Sequence, residues 1–149
     1  MENKETKNIL DLLAFSVNKF SFSINKQVEK NGEVAIAPTL EITPKKLGQD
    51  DVFSVLMRVA IEDSDNIKYP FNLDVAIEGI FKVDLNSDVK TLIELNTVSI
   101  LFPYMRAIIT QITALAGIEP LYLPIINVQQ AYQQYQDQNN KGEEIVEQN

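Results

Sequence analysis

The stretch FNLDVAIEGIFKVDLNSDVKTLIELNTVSILFPYMRAIITQITALAG, residues 71–117, changes its hydrophobic period part-way, and that change decides the fold class. Up to Val83, apolar residues stand at every second position: Phe71, Leu73, Val75, Ile77, Phe81 and Val83. A period of two puts them on one face of a β-strand, with Gly79 as an expected bulge or close approach. Asp84 to Asp88 are helix-capping residue types, and the pattern beyond them is helical. Pro103 fits a first helical turn and not an interior. The reading is therefore a short helix near 88–95, a kink, and a main helix near 99–116 that Gly117 stops. The main helix carries Ile100, Leu101, Tyr104, Met105, Ile108, Ile109, Ile112 and Leu115, apolar around much of its circumference. One sheet face covers only part of such a helix. A second copy of the chain is the expected cover for the rest.

Working back toward the N-terminus, Phe53, Val55, Met57, Val59 and Ile61 alternate as a third strand. The Asp63–Asn66 turn joins it to the fourth as a hairpin. A second strand is read with Val34, Ile36, Leu40 and Ile42 on one face. Pro38 lies within it and places it at an edge or a bulge. Thr43 to Asp51 reads as a polar connection. The first strand shows two runs, Leu13, Phe15, Val17 and then Phe20, Phe22, Ile24. Its phase slips at Asn18-Lys19, as a bulge makes it do. Residues 1–8 are polar and expected to be flexible. Downstream, residues 117–127 form an apolar loop with Pro120 and Pro124, unusual because loops run over the surface. A second helix is expected from Val128 to about Gln138, with Tyr132 on its apolar face. An acidic tail over 139–149 is expected to be disordered. The whole reads as one α+β domain over residues 1–149.

Composition narrows the chemistry. The 149 residues include 13 Lys+Arg against 21 Asp+Glu, a net charge of -8, and no His, Cys or Trp. Such an acidic domain lacks the basic patch that nucleic acid requires. Without Cys there are no disulfides, thiolate nucleophiles or Cys-based zinc sites. Without His the commonest general base and metal ligand are missing. Met1 to Lys7 is charged and no long apolar segment follows, so neither a signal peptide nor a membrane span is expected, and the expected location is the cytosol.

The remaining candidates divide into plain and functional readings. Asp84–Asp88 imitates the start of a calcium loop, but Val89 and Leu95 stand where Gly and Glu are needed, so capping is preferred. Asp50-Asp51 and Asp63/Asp65 are paired acids in turns, where such side chains serve the backbone. Arg106 on the apolar helix is read as structural before it is read as an anion site. The seven Phe and five Tyr carry more weight. Phe81, Tyr104, Tyr122 and Tyr132 are expected to cluster near the apolar loop, as core packing or as an exposed groove for extended peptide.

Residues 79–135 resemble the SecB family of export chaperones. The resemblance lies in Gly79-Ile80-Phe81, in Ile100-Leu101-Phe102-Pro103-Tyr104-x-Arg106, and in Gly117-x-x-Pro120-Leu121-x-Leu123-Pro124-x-x-Asn127. The chain departs from the family's usual residues at Ala116, Ile118, Glu119 and Val128. The resemblance implies a four-stranded antiparallel sheet with a long helix, crossover loop and C-terminal helix on one face, assembled as a dimer of dimers. It implies a holdase that works without ATP or any cofactor and binds unfolded or extended polypeptides, such as export precursors, in apolar grooves. Phe71, Phe81, Tyr104, Leu121, Tyr122, Leu123, Ile125 and Tyr132 are the expected client-binding residues. The surface that the export ATPase SecA recognises in the family carries acids on its first strand. Those positions fall here at Lys19 and Ser23, while Asp74 matches an acid and is the expected SecA-facing residue. A SecB-like chaperone dedicated to one partner, such as an antitoxin, is the alternative. A small-molecule carrier ranks behind it and an enzyme last.

Overall fold

The structure is a computed structural model that describes residues 10–26, 36–48, 51–83, 90–123 and 137, with the side chains of the helix described from residue 96 onward. Its elements are β1 (Leu10–Ile24), β2 (Thr39–Lys46), β3 (Val52–Ile61), β4 (Phe71–Val83) and α1 (Lys90–Leu115). All neighbouring strands pair antiparallel, in the order β1-β4-β3-β2. Three consecutive strands form a meander and β1 lies beside β4, a Greek-key arrangement.

The period-two pattern of β3 and β4 fixes their register. Phe53 faces Phe81, Met57 faces Ile77, Val59 faces Val75 and Ile61 faces Leu73. These pairs share the face that α1 covers, and Met57, Ile61, Ile77 and Phe81 are completely enclosed. From α1 the chain contributes Val98, Leu101, Phe102, Met105, Ile109 and Ile112 to the same core. Their spacing of three and four residues is one helical stripe. Gly79 is a close approach and not a bulge, since its pairing with Val55 and Phe15 is unbroken. A β-carbon there would lie 2.7 Å from Phe81 Cε2 and 2.9 Å from Leu101 Cδ2.

β1 keeps its apolar residues on the core face by slipping twice, between Val17 and Lys19 as expected and again between Leu12 and Ala14. The second slip puts Leu12 opposite Phe81 and leaves Leu13 exposed. Each bulge adds one residue, so Phe15, Val17, Phe20, Phe22 and Ile24 stay in phase with β4.

Two readings of the sequence are corrected. The two helices expected near 88–95 and 99–116, with a kink between them, are one helix, Lys90–Leu115, with Pro103 inside it. Proline in a helix interior costs about 3 kcal/mol. Full burial of Leu101, Met105 and Ile109 contributes roughly 1.5–3 kcal/mol each, so tertiary packing outweighs the local penalty. β2 begins at Thr39, after Pro38, and continues through Lys46 across residues read as a connection. Its proline is Pro44, paired with Val55. As an outer strand β2 has one side free of the ladder, which is where proline is tolerated. Its polar sequence hid it, because only Leu40 and Ile42 turn to the core.

Gly117 ends α1 as expected, at φ 77°. The Gly117 N–H donates to Ala114 O at 3.1 Å and the Ile118 N–H to Thr113 O at 3.4 Å, the paired bonds of a Schellman motif. The stretches 1–8, 84–88 and 139–149, Val34, Ile125 and Tyr132 lie outside the described residues. Of the second helix expected over 128–138, only residue 137 is described, and it is helical.

Candidate functional site

An apolar flank runs along β1 and the solvent side of α1. On β1, Leu13, Phe15, Val17, Phe20 and Ile24 are exposed, although all but Leu13 sit on the core face of the sheet. The helix covers β3 and β4 and leaves β1 partly bare. On α1, Ile100 and Ile108 are half-buried while Tyr104 and Leu115 are exposed. Phe15 and Tyr104 link the two elements, with ring centroids 4.8 Å apart. An exposed apolar surface on this scale marks an interaction site more often than chance.

The segment after Gly117 runs back along α1 and is held there by three side chains. Arg106 Nε donates to Leu123 O at 3.0 Å, and the Thr110 hydroxyl donates to Leu121 O at 3.0 Å. The Leu121 N–H donates to Thr113 Oγ1 at 2.8 Å. Thr113 is fully buried and its own hydroxyl donates to Ile109 O at 2.9 Å. With its one proton committed there, the Thr113 oxygen presents a lone pair to Leu121. Residues 106, 110 and 113 lie on one stripe of a helix. The extended segment alternates against it: Leu121 half-buried, Tyr122 70% exposed, Leu123 buried. The structural reading of Arg106 therefore holds, though its partner is a backbone carbonyl and not a carboxylate.

The other face of the sheet is polar and organised by Arg58. Its Nε and Nη2 grip Asp74 Oδ1 and Oδ2 at 2.9 Å each. Lys19 Nζ donates to Asp74 Oδ2 at 2.6 Å. Glu41 and Glu62 take the remaining corners of the guanidinium at 3.2 and 3.1 Å. A forked, charge-assisted contact of this kind fixes geometry as well as charge. The Arg58 hydrogen bonds, aided by Lys19 and opposed by burial, hold the Asp74 carboxyl down at about 2. The carboxylates raise the Arg58 guanidinium in turn.

Asp63 serves its turn, as expected of an acid in that position: its carboxylate accepts from the Tyr69 N–H at 2.8 Å and from Asn25 Nδ2 at 3.1 Å. Among the described residues no group of three or more acids is arranged to hold a metal ion.

The expected client-binding residues divide by burial. Tyr104 and Tyr122 are exposed and Leu121 is half-buried. Leu123, Phe71 and Phe81 are enclosed. Phe81 stacks on Phe53 at 5.8 Å. Phe71 stacks on Phe22 at 5.6 Å and pairs with Ile24 at the far end of β1. The fold brings Tyr104 together with Phe15, a strand residue the sequence reading left out of the site. Its period-two pattern puts it on a strand face, and nothing local says that the helix leaves that face bare. The Thr110 and Thr113 roles were missed as well. Their signal is the spacing i, i+4, i+7 from Arg106.

Comparison with known proteins places this architecture. The sequence model of the family described as preprotein translocase subunit SecB matches residues 3–139. An uncharacterized protein of Methanocaldococcus jannaschii is 35% identical over 118 residues, 76% of each chain. The protein-export protein SecB of Orientia tsutsugamushi (strain Ikeda) is 30% identical over 124 residues, 82% of this chain and 76% of that one. Among solved structures, a SecB-like chaperone of Mycobacterium tuberculosis in complex with a peptide from the HigA1 antitoxin superposes with a TM-score of 0.62. That match covers 79% of this chain and 91% of the other at 13% identity, a likeness of fold.

Proposed function

From the premise that this chain belongs to the SecB family of chaperones, which are not enzymes, we propose that it is a cytosolic, ATP-independent holdase for unfolded or extended polypeptides. The observation that carries the reading is the apolar flank joining β1 to α1 through Phe15 and Tyr104, together with Tyr122 presented beside α1. Extended segments would lie against the Phe15–Tyr104 flank on one side of α1 and against Leu121 and Tyr122 on the other. Ile125 and Tyr132 are further proposed contacts, while Phe71, Phe81 and Leu123 are buried and would act by supporting the surface. Burial of apolar area is non-directional, so such a surface accepts many sequences. The net charge of -8 keeps it soluble. Ile100, Ile108 and Leu115 on the outer side of α1 support a dimer of dimers in which main helices cover one another.

One observation weighs against coupling to SecA and supports the second reading, a SecB-like chaperone dedicated to a specific partner such as an antitoxin. Asp74, the acid expected to face SecA, has both oxygens taken by Arg58 and Lys19. A carboxylate so occupied offers little to a basic partner surface, and Lys19 places a positive charge beside it. Tight SecA binding by the purified chain would overturn this preference.

The groove is tested by Leu121→Asp combined with Tyr122→Asp. Two charges in an apolar contact surface are expected to weaken binding of reduced, carboxymethylated ribonuclease A by at least about tenfold, with the circular dichroism spectrum unchanged. Unchanged affinity in the doubly substituted chain rejects the groove.

A further inference from the structure

We propose that Arg106, together with Thr110, is a positioning residue that sets Tyr122 for client contact by clamping the backbone of Leu121–Leu123 onto α1. The inference rests on the holdase reading and adds a specific device to it. A segment after a helix cap has no ladder of its own and would ordinarily move. Here three side chains from consecutive helical turns hold it. Arg106 Nε and the Thr110 hydroxyl engage the carbonyls of Leu123 and Leu121, and Thr113 accepts the Leu121 N–H. Every one of these bonds goes to a residue whose side chain turns inward. In an extended segment that alternation throws the intervening side chain outward, and Tyr122 is 70% exposed. The clamp thus spends its polar contacts on Leu121 and Leu123 and leaves Tyr122 free to meet a partner.

Holding a binding aromatic in place before the partner arrives removes an ordering cost from association. Loss of the clamp should therefore appear as weaker client binding that disappears when Tyr122 is already gone. A merely structural role for Arg106 would not make its effect depend on Tyr122.

The test is a double-mutant cycle on the full chain, read by binding of fluorescently labelled, reduced and carboxymethylated ribonuclease A. Arg106→Met keeps the side chain out to the position of Nε and removes the Nε donor. Arg106→Gln puts an amide N–H at nearly the same distance along the side chain and removes the charge and the terminal Nη donors. Arg106→Met is expected to bind about tenfold more weakly than the unsubstituted chain, and Arg106→Gln within about twofold of it. Arg106→Met combined with Tyr122→Ala is expected to bind no more weakly than Tyr122→Ala alone. The proposal is overturned if Arg106→Met binds normally, if Arg106→Gln is as weak as Arg106→Met, or if the two losses multiply. A Tyr122→Ala chain that binds normally would overturn both this proposal and the groove assignment. A weakened Tyr122→Ala beside a normal Arg106→Met would remove the clamp alone. Should Arg106→Met fail to fold, Thr110→Val enters the same cycle, with a smaller loss and the same dependence on Tyr122.

Discussion

Gly79→Val is expected to destabilise the folded chain by about 3 kcal/mol or more, although glycine inside a strand is ordinarily a weakness. The added β-carbon alone would stand 2.7 Å from Phe81 Cε2 and 2.9 Å from Leu101 Cδ2, well inside contact distance. Neither neighbour has room to yield, since both are fully buried, Phe81 against Phe53 and Leu101 in the stripe that α1 presents to the sheet. Valine adds two further methyl groups at the point where the helix approaches most closely. The gain from a better strand former is about 1 kcal/mol at most, so overpacking wins. In a chain of this length the expected fall in melting temperature is roughly 6–12 °C. Gly48→Ala is the control. Nothing lies within 4 Å of a β-carbon there, and its expected effect is within about 0.5 kcal/mol. Urea titration of the two variants at one protomer concentration makes the comparison. Equal midpoints would mean that α1 does not press on β4 at Gly79.

A second expected result concerns acid. The Asp74 carboxyl ionises at about 2 in the folded chain against an ordinary 3.8, chiefly because Arg58 hydrogen-bonds both its oxygens. A group whose folded value is depressed lends stability that is complete above its unfolded value and lost as pH falls through its folded one. Its contribution should therefore be intact above about pH 4 and vanish toward pH 2. The size is about 2 kcal/mol, taken at one unit per 1.4 kcal/mol for a side chain only 11% exposed. In Asp74→Asn the ionisable group is gone, while Arg58 keeps Glu41 and Glu62. The stability difference between the unsubstituted chain and Asp74→Asn should then shrink across that window and level off outside it. A constant difference from pH 6 to pH 2 would show that the Arg58 fork contributes nothing through charge.

β3 and β4 were legible because apolar residues recur at every second position on the face that α1 covers, with Gly79 as the one gap. The bulge at Asn18-Lys19 was legible because a slip of one residue flips every later side chain, and the apolar pattern records the slip. β2 was misplaced because an edge strand with two core residues carries almost no periodic signal. The helix was divided between residues 95 and 99, so that Pro103 would fall in a first turn, because local propensity speaks against an interior proline, whereas the packing that overrides it comes from strands 20 to 50 residues earlier. For the candidate site, Tyr104, Leu121 and Tyr122 were legible as apolar residues out of place in a loop and on a helix already apolar elsewhere. Phe15 was read as strand face alone. Nothing local says that α1 stops short of β1. The Arg58–Asp74–Lys19 contact went unread for a similar reason, since it joins three strands through register.

The account's central claim is that this chain captures unfolded polypeptide on an apolar surface and does so as an assembly of copies. Native mass spectrometry of the purified protein tests that claim most directly, alone and with ribonuclease A either reduced and carboxymethylated or folded. The account predicts a tetramer that takes up one unfolded chain and ignores the folded one. A compact monomer, or a tetramer indifferent to both forms, would contradict it.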